Sequence, residues 1–444
     1  MKNRKKAGNL TAREITLRLL LRIEKKGAYA DRLLSAPRIA KLDKRNRGLI
    51  RELLLGVLRW KLRLDHIIDT YYNKQSDTLA PGIRNILRLG LFQIMFLNSV
   101  PEWAAVNESV NMASVRYGRK GAGLVNALLR RFEREGEPPF PSDPLKHLSV
   151  EMSHPLWLVN RWKEYYGEEA AKSICRAGNE KHPICIRTAR LKIAPEELTE
   201  RLSEEGFKTA EVPGMHGYRA VLQGEGLFDT ETFKEGLFTV QDPAAGMAAE
   251  LLAPVSGETI IDLCAAPGGK ATQCAELMCD SGKVIAVDIH PARLGLVRNA
   301  SDRLGLASIN CAAGDALVFT NDRQTCCDRV LLDTPCTGTG VLSKRLDMRW
   351  HLSENDIHRL AVLQENLLEN AASAVKPGGV LVYSTCSLEP EENEEIVAVF
   401  LEHHKEFSIE RDNRFKDFER EFGYLIFPFQ MCGGGAFAAR LRHE

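Results

Sequence analysis

Apolar side chains in the first third of the chain recur at the three- and four-residue steps of an amphipathic helix. The clearest runs are Ile15, Leu19 and Ile23; Leu53, Val57 and Trp60; and Ile83, Leu87, Leu91 and Ile94. Residues 10–135 contain no strictly alternating run of the kind that forms a half-buried strand. The pattern predicts an all-α bundle over residues 1–137, and the prolines that follow predict a linker.

The rest of the chain has a different pattern. Short apolar runs beside helical stretches between residues 145 and 240 predict a small α+β module. From residue 241 to residue 444, apolar runs alternate with helical stretches, which predicts a largely parallel, doubly wound α/β sheet. The strand candidates are Thr259 to Leu263, Lys283 to Val287, Arg329 to Leu332 and Val380 to Tyr383. Ligands bind beyond the carboxyl ends of the strands in such sheets.

Charge is distributed unevenly along the 444 residues, although the net charge is only +1. Residues 1–150 hold 29 Lys and Arg against 14 Asp and Glu, a net of +15, whereas the remaining 294 hold 31 against 45, a net of −14. A basic helical module joined to an acidic one favours a polyanionic partner such as nucleic acid. A solvated helical surface that happens to be basic would show the same composition.

Composition also excludes several classes of protein. No stretch approaches the ~18–20 uninterrupted apolar residues of a transmembrane helix, and the basic start lacks the apolar segment and cleavage site of a signal peptide. The 11 cysteines show no disulfide framework and no CxxC pair of a zinc site. We therefore expect a reduced, cytoplasmic, monomeric protein with no membrane segment and no metal.

The segment Asp262–Lys270, DLCAAPGGK, directly follows a predicted strand and opens a predicted helix. Its small residues let a ligand approach the backbone, and amides at a helix start can hold a carboxylate. Asp288 follows the next strand, where a carboxylate can accept two ribose hydroxyls, and Asp315 follows a third and can face an adenine edge. Together these elements suit S-adenosylmethionine, although a single acid at a strand end is more often a helix cap.

Two further motifs place a cysteine at the carboxyl end of a predicted strand. The first is LLDTPCTGTG, with Cys336, and the second is YSTCSL, with Cys386, followed by the acidic EPEENE. The two thiols could converge on one pocket. Most cysteines are buried, inert side chains, and that is the expectation for Cys175, Cys185, Cys274, Cys279, Cys311, Cys326 and Cys327.

The strings DLCAAPGGK, DTPCTGTG and YSTCS resemble the motifs of RNA cytosine-C5 methyltransferases. Residues 51–59, 86–93 and 104–108 resemble a NusB-type RNA-binding module. The fusion of the two is the arrangement of the RsmB (Sun/Fmu) family of 16S ribosomal RNA methyltransferases. The resemblance implies a NusB-like domain at 1–137, an RNA-recognition-like module at 145–240 and a Rossmann-like, class I catalytic domain at 241–444.

The resemblance implies a catalytic role for each of four residues. Cytosine C5 is a weak nucleophile, and a thiolate that adds at C6 makes it enamine-like. In the family the Thr-Cys cysteine, here Cys386, is that nucleophile, and the Pro-Cys cysteine, here Cys336, assists product release. Asp333 would hydrogen-bond the cytosine edge, and Lys270 would orient Asp333 or the base. DNA cytosine methyltransferases use the Pro-Cys cysteine instead, so the Thr-Cys motif favours RNA.

The resemblance also implies a pocket for S-adenosylmethionine as the methyl donor. The expected lining is Cys264, Ala265, Ala266, Pro267, Gly268, Gly269, Lys270, Asp288, Arg293, Asp315 and Asp333. The implied enzyme methylates C5 of one cytosine in small-subunit ribosomal RNA. Because the base must leave its stack, a single-stranded target is favoured, and the basic domain would hold the RNA backbone.

The chain departs from the family pattern at three places. Thr334 and Thr337 replace the commoner Ala and Ser, and Met431–Leu441, expected to form an edge strand and loop, lacks the usual His, Asp and second Phe. Two alternatives stay open. The same chemistry could act on transfer RNA, which the NusB-like domain disfavours. A non-catalytic RNA-binding or ribosome-assembly factor could retain the fold. The presence of both cysteines and of the complete DLCAAPGGK loop disfavours this alternative.

Overall fold

The computed structural model describes residues 10–72, 78–319 and 327–444. The chain forms two compact units, one made of Met1–Asn179 with Lys344–His351 and the other of Glu180–Ser343 with Leu352–Glu444. We call them unit 1 and unit 2. The basic start of the chain and Cys326 lie outside the described residues, so the expectations for them cannot be compared with the fold.

Unit 1 is helical throughout its described residues. Its helices are α1 (Ala12–Lys26), α2 (Ala30–Leu34), α3 (Pro37–Ala40), α4 (Lys44–Arg59), α5 (Lys61–Tyr72), α6 (Pro81–Phe96), α7 (Glu102–Glu135), α8 (Pro144–Glu151), α9 (Leu156–Tyr166) and α10 (Glu168–Asn179). The apolar positions of the predicted helices face inward, and Leu53, Val57 and Leu87 are fully buried. Helix α7 is interrupted at Gly118, whose φ of 67° is not helical.

Local sequence explains where the first helix begins and ends. Thr11 precedes α1, and its hydroxyl accepts the Glu14 amide while the Glu14 carboxylate accepts the Thr11 amide. This reciprocal pair satisfies two amides that a helix start leaves without partners. The helix ends at Gly27, whose φ of 58° is the left-handed value that glycine adopts without strain.

Two glycines of α4 differ in their surroundings, and we expect opposite effects on stability. A Cβ at Gly56 would lie 1.9 Å from the buried Phe92 ring, whereas one at Gly48 would meet nothing within 4 Å. Gly56→Ala should lower the free energy of unfolding by ~1–3 kcal/mol through overpacking. Gly48→Ala should raise it by ~0.5–1 kcal/mol through helix propensity. Urea denaturation followed by circular dichroism measures both, and equal effects would contradict the packing of α4 on α6.

Unit 1 extends beyond the predicted bundle. Helices α8 to α10, which the sequence pattern assigned to the small module, belong to unit 1, as does the distant segment Lys344–His351. Arg349 is fully buried there and donates to the Ser153 carbonyl, the Gly178 carbonyl and Asn179 Oδ1. Burial lowers the pKa of Arg349 to about 9. The segment's place in the helical unit has no signal in the sequence, because it depends on this long-range packing.

Unit 2 opens with a small antiparallel sheet. Its strands are β1 (Ile184–Thr188), β2 (Lys208–Glu211), β3 (Tyr218–Gln223) and β4 (Phe238–Val240), in the order β2-β3-β1-β4, with helices α11 (Pro195–Glu204) and α12 (Glu231–Lys234) between them. This agrees with the predicted α+β character. Strand β2 was not predicted, because its polar sequence KTAE carries no apolar run.

The larger sheet of unit 2 holds the predicted parallel strands. The elements are α13 (Pro243–Leu252), β5 (Thr259–Asp262), α14 (Gly269–Leu277), β6 (Lys283–Asp288), α15 (Pro291–Leu304), β7 (Ile309–Ala313), β8 (Cys327–Asp333), α16 (Glu354–Ala372), β9 (Val375–Thr385), α17 (Glu394–His403), β10 (Phe407–Ile409), β11 (Glu419–Arg420), β12 (Gly423–Ile426) and β13 (Ala436–His443). The strand order is β11-β12-β13-β9-β8-β5-β6-β7, and β10 also pairs with β13. Strands β5 to β9 are mutually parallel where they pair.

The end of the chain is not an edge strand, and that expectation was wrong. Strand β13 pairs antiparallel with β9 on one side and with β12 on the other. Phe437, Ala438 and Ala439 are fully buried, because both faces of this interior strand are covered. The family residues missing from Met431–Leu441 therefore do not prevent a well-packed strand.

In the part of the chain that the structure describes, no helix is long and apolar enough to cross a membrane. Among the same described residues, no three His, Cys, Asp or Glu side chains are grouped so that they could hold a metal ion.

Candidate active site

The carboxyl ends of four parallel strands bring the singled-out residues to one edge of the larger sheet. Asp262 ends β5, Asp288 ends β6 and Asp333 ends β8, while Cys386 directly follows β9. The pairing aligns these ends, because Asp262 lies opposite Ala286 and Leu331. Asp333 likewise pairs with Ser384. The two cysteine motifs and the glycine-rich loop therefore share one site.

The loop between β5 and α14 contains Cys264 to Lys270, which are expected to bind the methyl donor. We call it the donor loop. It is pinned to the sheet, because the Leu263 amide donates to the Leu331 carbonyl and the Ala265 amide to the Val287 carbonyl. Gly268 has a φ of 108°, and a Cβ there would lie 3.1 Å from the Val297 backbone. Only glycine fits this close approach without strain. The backbone of the loop is therefore fixed beside the carboxyl ends of the strands.

Arg293 ties this loop to Asp288. One of its Nη atoms donates to the Ala266 carbonyl at 2.7 Å, and the other lies 3.2 Å from Asp288 Oδ2. The second oxygen of Asp288 accepts the His290 amide at 2.8 Å. Arg293 lies beside the expected donor residues, and its charge is directed at Asp288.

Asp315 is placed less directly than the sequence predicts. Its side chain is exposed, and Oδ1 accepts the Leu317 amide at 3.0 Å, which is a capping arrangement. The preceding Gly314 amide donates to the Asp288 carbonyl at 3.3 Å. Asp315 therefore lies next to the edge of the sheet near Asp288, with its carboxylate partly engaged as a cap.

Asp262 is a functional candidate that the sequence analysis did not single out. It is 1% exposed, and neither carboxyl oxygen has a well-aligned hydrogen-bond donor among the described residues. Burial, reinforced by the charge of Asp333, raises the pKa of Asp262 to about 7. A buried carboxyl group without donors suits a cationic ligand group. The signal was available, since Asp262 is the acid at the end of β5.

Lys270 and Asp333 form an ion pair between the donor loop and the Pro-Cys motif. Lys270 Nζ lies 2.7 Å from Asp333 Oδ2, and Asp333 Oδ1 accepts the Ser384 hydroxyl at 2.9 Å. Burial lowers the pKa of Lys270, but the charge of Asp333 more than offsets this and the pKa lies above its usual value. Asp333 is one-third exposed, so its carboxylate remains accessible to a substrate.

The two motif cysteines meet at the ends of β8 and β9. Their Sγ atoms are 3.2 Å apart, neither cysteine forms a disulfide, and both residues are partly exposed. The Cys386 amide also donates to Cys336 Sγ at 3.3 Å. The hydrogen bond to Cys386, burial and nearby negative charge all raise the pKa of Cys336 well above its usual value. Cys386 is among the groups whose charge acts on Lys270.

The other cysteines fall into two groups. Cys175, Cys185, Cys274 and Cys327 are buried, as predicted. Cys279 is exposed and Cys311 is partly exposed, so the expectation of burial was wrong for them. Cys279 lies in the turn after α14, with a φ of 55° that keeps it outside the helix core. Burial raises the pKa of Cys264 in the donor loop, which makes it a poor nucleophile.

The arrangement combines what covalent catalysis on a planar base requires. A partly exposed thiol lies against a second thiol, and an ion-paired carboxylate with a free face lies at the neighbouring strand end. A backbone loop and two acids lie along the same edge, where a bound cofactor would reach the thiols.

Family comparisons cover most of the chain. The model of the 16S rRNA methyltransferase RsmB/F matches residues 249–442, and the model of the NusB family matches residues 10–134. A third, the RsmF/B-like methyltransferase ferredoxin-like domain, matches residues 154–217. The three matches follow the predicted order of domains, while the predicted boundaries at 137, 145 and 240 stay predictions.

Individual proteins resemble the chain over its full length. The probable ribosomal RNA small subunit methyltransferase B of Bacillus subtilis (strain 168) is 36% identical over 98% of this chain and 99% of its own length. The ribosomal RNA small subunit methyltransferase B of Pasteurella multocida (strain Pm70) is 33% identical over 98% and 96%. The crystal structure of the protein PH0851 superposes with a TM-score of 0.80, at 28% identity over 98% and 100%. The predicted multidomain fold, with a helical NusB domain and a Rossmann-like methyltransferase domain, is confirmed.

Proposed function

This chain belongs to the 16S rRNA methyltransferase RsmB/F family, and on that premise we propose that it methylates C5 of a cytosine in small-subunit ribosomal RNA with S-adenosylmethionine as donor. The observation that carries the proposal is the pair of thiols of Cys336 and Cys386, which are 3.2 Å apart at adjacent strand ends and form no disulfide. Two thiols have complementary uses in cytosine-C5 chemistry, one to activate the base and one to release it.

Cys386 is proposed as the nucleophile. Its thiolate forms a bond to cytosine C6, the C5–C6 double bond opens, and electron density moves onto C5 and the ring edge. Asp333 faces that edge and accepts a hydrogen bond from the exocyclic amine, while Lys270 holds the carboxylate in place at 2.7 Å. The contact with Asp333 orients the base, and the positive charge of Lys270 offsets the negative charge that develops on the ring.

Cys336 is proposed as the base that completes the reaction. After C5 gains its methyl group, the C5 proton passes to Cys336, the C5–C6 double bond re-forms, and Cys386 leaves as a thiolate. A thiolate whose pKa is raised is the stronger base, so Cys336 in its deprotonated form suits this step.

The donor loop and the acids beside it fit S-adenosylmethionine. When bound, the cofactor supplies an electrophilic methyl group on its sulfonium sulfur. The unpartnered carboxyl group of Asp262 suits the ammonium of the methionine moiety, and Asp288 suits the ribose hydroxyls. Arg293 contacts both Asp288 and the Ala266 carbonyl and so fixes their relative positions. The backbone of residues 264–269 would line the remaining surface.

Donor affinity should depend on the ionisation of Asp262. With a pKa of about 7, its carboxyl group is neutral below that pH and charged above it. Since the charged form pairs with the ammonium group, affinity for S-adenosylhomocysteine should fall about fivefold between pH 7 and pH 6. Isothermal titration calorimetry measures this. Asp262→Asn should bind more weakly with a flat pH profile, whereas the exposed control Asp302→Asn should keep the wild-type profile.

A direct test of the function uses purified protein, labelled S-adenosylmethionine and RNA. Transcribed small-subunit ribosomal RNA should accept label, and nucleoside mass spectrometry should identify the product as 5-methylcytidine. Label on another base or on another position of cytosine would refute the chemistry. Transfer RNA is the comparison substrate, and preferential labelling of it would keep the chemistry and move the target. The basic helical domain, net +15 over residues 1–150, favours the ribosomal target.

A further inference from the structure

A buried carboxylate, Glu392, lies behind the two cysteines. It is 0% exposed, and its oxygens accept hydrogen bonds from groups of Thr337, Ser387 and Gln364. The Thr337 amide donates at 2.9 Å and Gln364 Nε2 at 3.1 Å, while both hydroxyls donate to the second oxygen. All these donors are neutral. Burying a carboxylate is costly, and these four hydrogen bonds offset that cost. Their number indicates that the carboxylate has a specific role at this position.

The donors come from the residues that directly follow the cysteines. Thr337 follows Cys336 in the loop after β8, and Ser387 follows Cys386 in the loop after β9. The two hydroxyls also lie 3.1 Å from each other. One carboxylate therefore connects two loops that are 50 residues apart in sequence. Its Oε2 accepts both hydroxyls, so this single oxygen holds the two loops together.

The loop that contains Cys336 is also held by hydrogen bonds before the cysteine. Gln364 Nε2, which donates to Glu392, donates as well to the Pro335 carbonyl at 2.9 Å. The backbone carbonyl of Glu392 in turn accepts the Tyr383 hydroxyl at 2.6 Å. Cys336 is thus flanked by a held residue before it and a held residue after it, and Glu392 is anchored to β9.

We propose that Glu392 is a positioning residue that sets the distance between the thiols of Cys336 and Cys386 by holding Thr337 and Ser387. The inference rests on the proposed function, since it assigns the spacing of the thiols to the same reaction. It also gives a reason for one glutamate in the acidic run after the Thr-Cys motif. Thr337, which replaces the commoner Ser, keeps the hydroxyl that this arrangement requires.

The kinetic test compares Glu392→Gln with a matched control. In Glu392→Gln one oxygen becomes an amide nitrogen that cannot accept the hydroxyl protons, so the loops should shift and kcat should fall about tenfold or more. The dissociation constant of S-adenosylhomocysteine should stay unchanged, because the donor loop is untouched. The control Glu395→Gln removes the same charge from an exposed side chain three residues away and should behave as wild type. A general loss of stability would lower donor affinity as well.

A second test reads the thiol spacing without RNA or methyl donor. Phenylarsine oxide condenses with two neighbouring thiols, forming two S–As bonds while its oxygen leaves as water with the two thiol protons. Thiols 3.2 Å apart should bind it tightly in wild-type protein. The binding signal of this pair is the part that is lost in Cys336→Ala, and mass spectrometry maps it to the two cysteines. The affinity of the pair for phenylarsine oxide should fall about tenfold in Glu392→Gln.

The two tests separate this inference from the proposed function. Wild-type arsenical affinity and wild-type kcat in Glu392→Gln would overturn the inference, even if cytosine methylation is demonstrated. A wild-type protein that methylates no cytosine would overturn the function, while weakened arsenical binding in Glu392→Gln would still support the spacing role. Should Glu392→Gln fail to fold cooperatively, Ser387→Ala, which removes a single donor, carries the test with the same two outcomes.

Discussion

Cys386→Ala should lose methyl transfer by more than about 10³-fold, because no other group can form the bond to C6 that activates C5. The neighbouring Cys336 lies 3.2 Å away, but in the proposed reaction its thiolate takes the C5 proton and forms no bond to C6. The measurement is initial-rate transfer of labelled methyl groups to small-subunit ribosomal RNA.

Two controls separate loss of the nucleophile from damage to the fold. Cys279→Ala removes an exposed cysteine outside the site and should keep full activity. Cys386→Ala should keep wild-type affinity for S-adenosylhomocysteine, since the donor loop does not depend on this thiol. Turnover near the wild-type rate in Cys386→Ala would assign the nucleophile to another residue.

Cys336→Ala should accumulate RNA covalently attached to the protein. Removing the proposed base leaves the Cys386–C6 bond in place after methylation, because the C5 proton has no acceptor and the double bond cannot re-form. The adduct should appear as a slow-migrating, nuclease-sensitive band on a denaturing gel. The methylated adduct should form only when both RNA and S-adenosylmethionine are present.

The double variant Cys336→Ala/Cys386→Ala is the matched control, and it should form no adduct. A mass spectrum of the digested adduct should place the nucleotide on the peptide that contains Cys386. If Cys336→Ala instead turns over cleanly without an adduct, Cys336 has no part in release, and the short distance between the thiols needs a different explanation.

Much of the site follows from sequence because parallel strands end at one edge. The acids and cysteines that follow apolar runs, such as Asp288, Asp333 and Cys386, were predicted to converge, and the structure brings them together. The predicted strands lie where the fold has them, although β8 (Cys327–Asp333) and β9 (Val375–Thr385) extend beyond the apolar runs that predicted them.

The features that sequence did not predict depend on contacts between distant segments. Asp262 lies in a predicted strand, at the start of the DLCAAPGGK motif, and its burial without a well-aligned hydrogen-bond donor appears only once β6 and β8 are placed on either side of it. The interior position of β13 depends on its pairing with β9 and β12. The acidic run after Cys386 gave no sign that Glu389 and Glu392 are fully buried while Glu391 and Glu394 are only partly buried.

The most direct test of the central claim is bisulfite sequencing of total RNA from cells with and without this gene. Deletion cells are complemented with wild-type protein or with Cys386→Ala. The account predicts that one cytosine of small-subunit ribosomal RNA loses protection on deletion, regains it with the wild-type protein and stays unprotected with the variant. Unchanged protection of every ribosomal cytosine on deletion, or full restoration by Cys386→Ala, would contradict it.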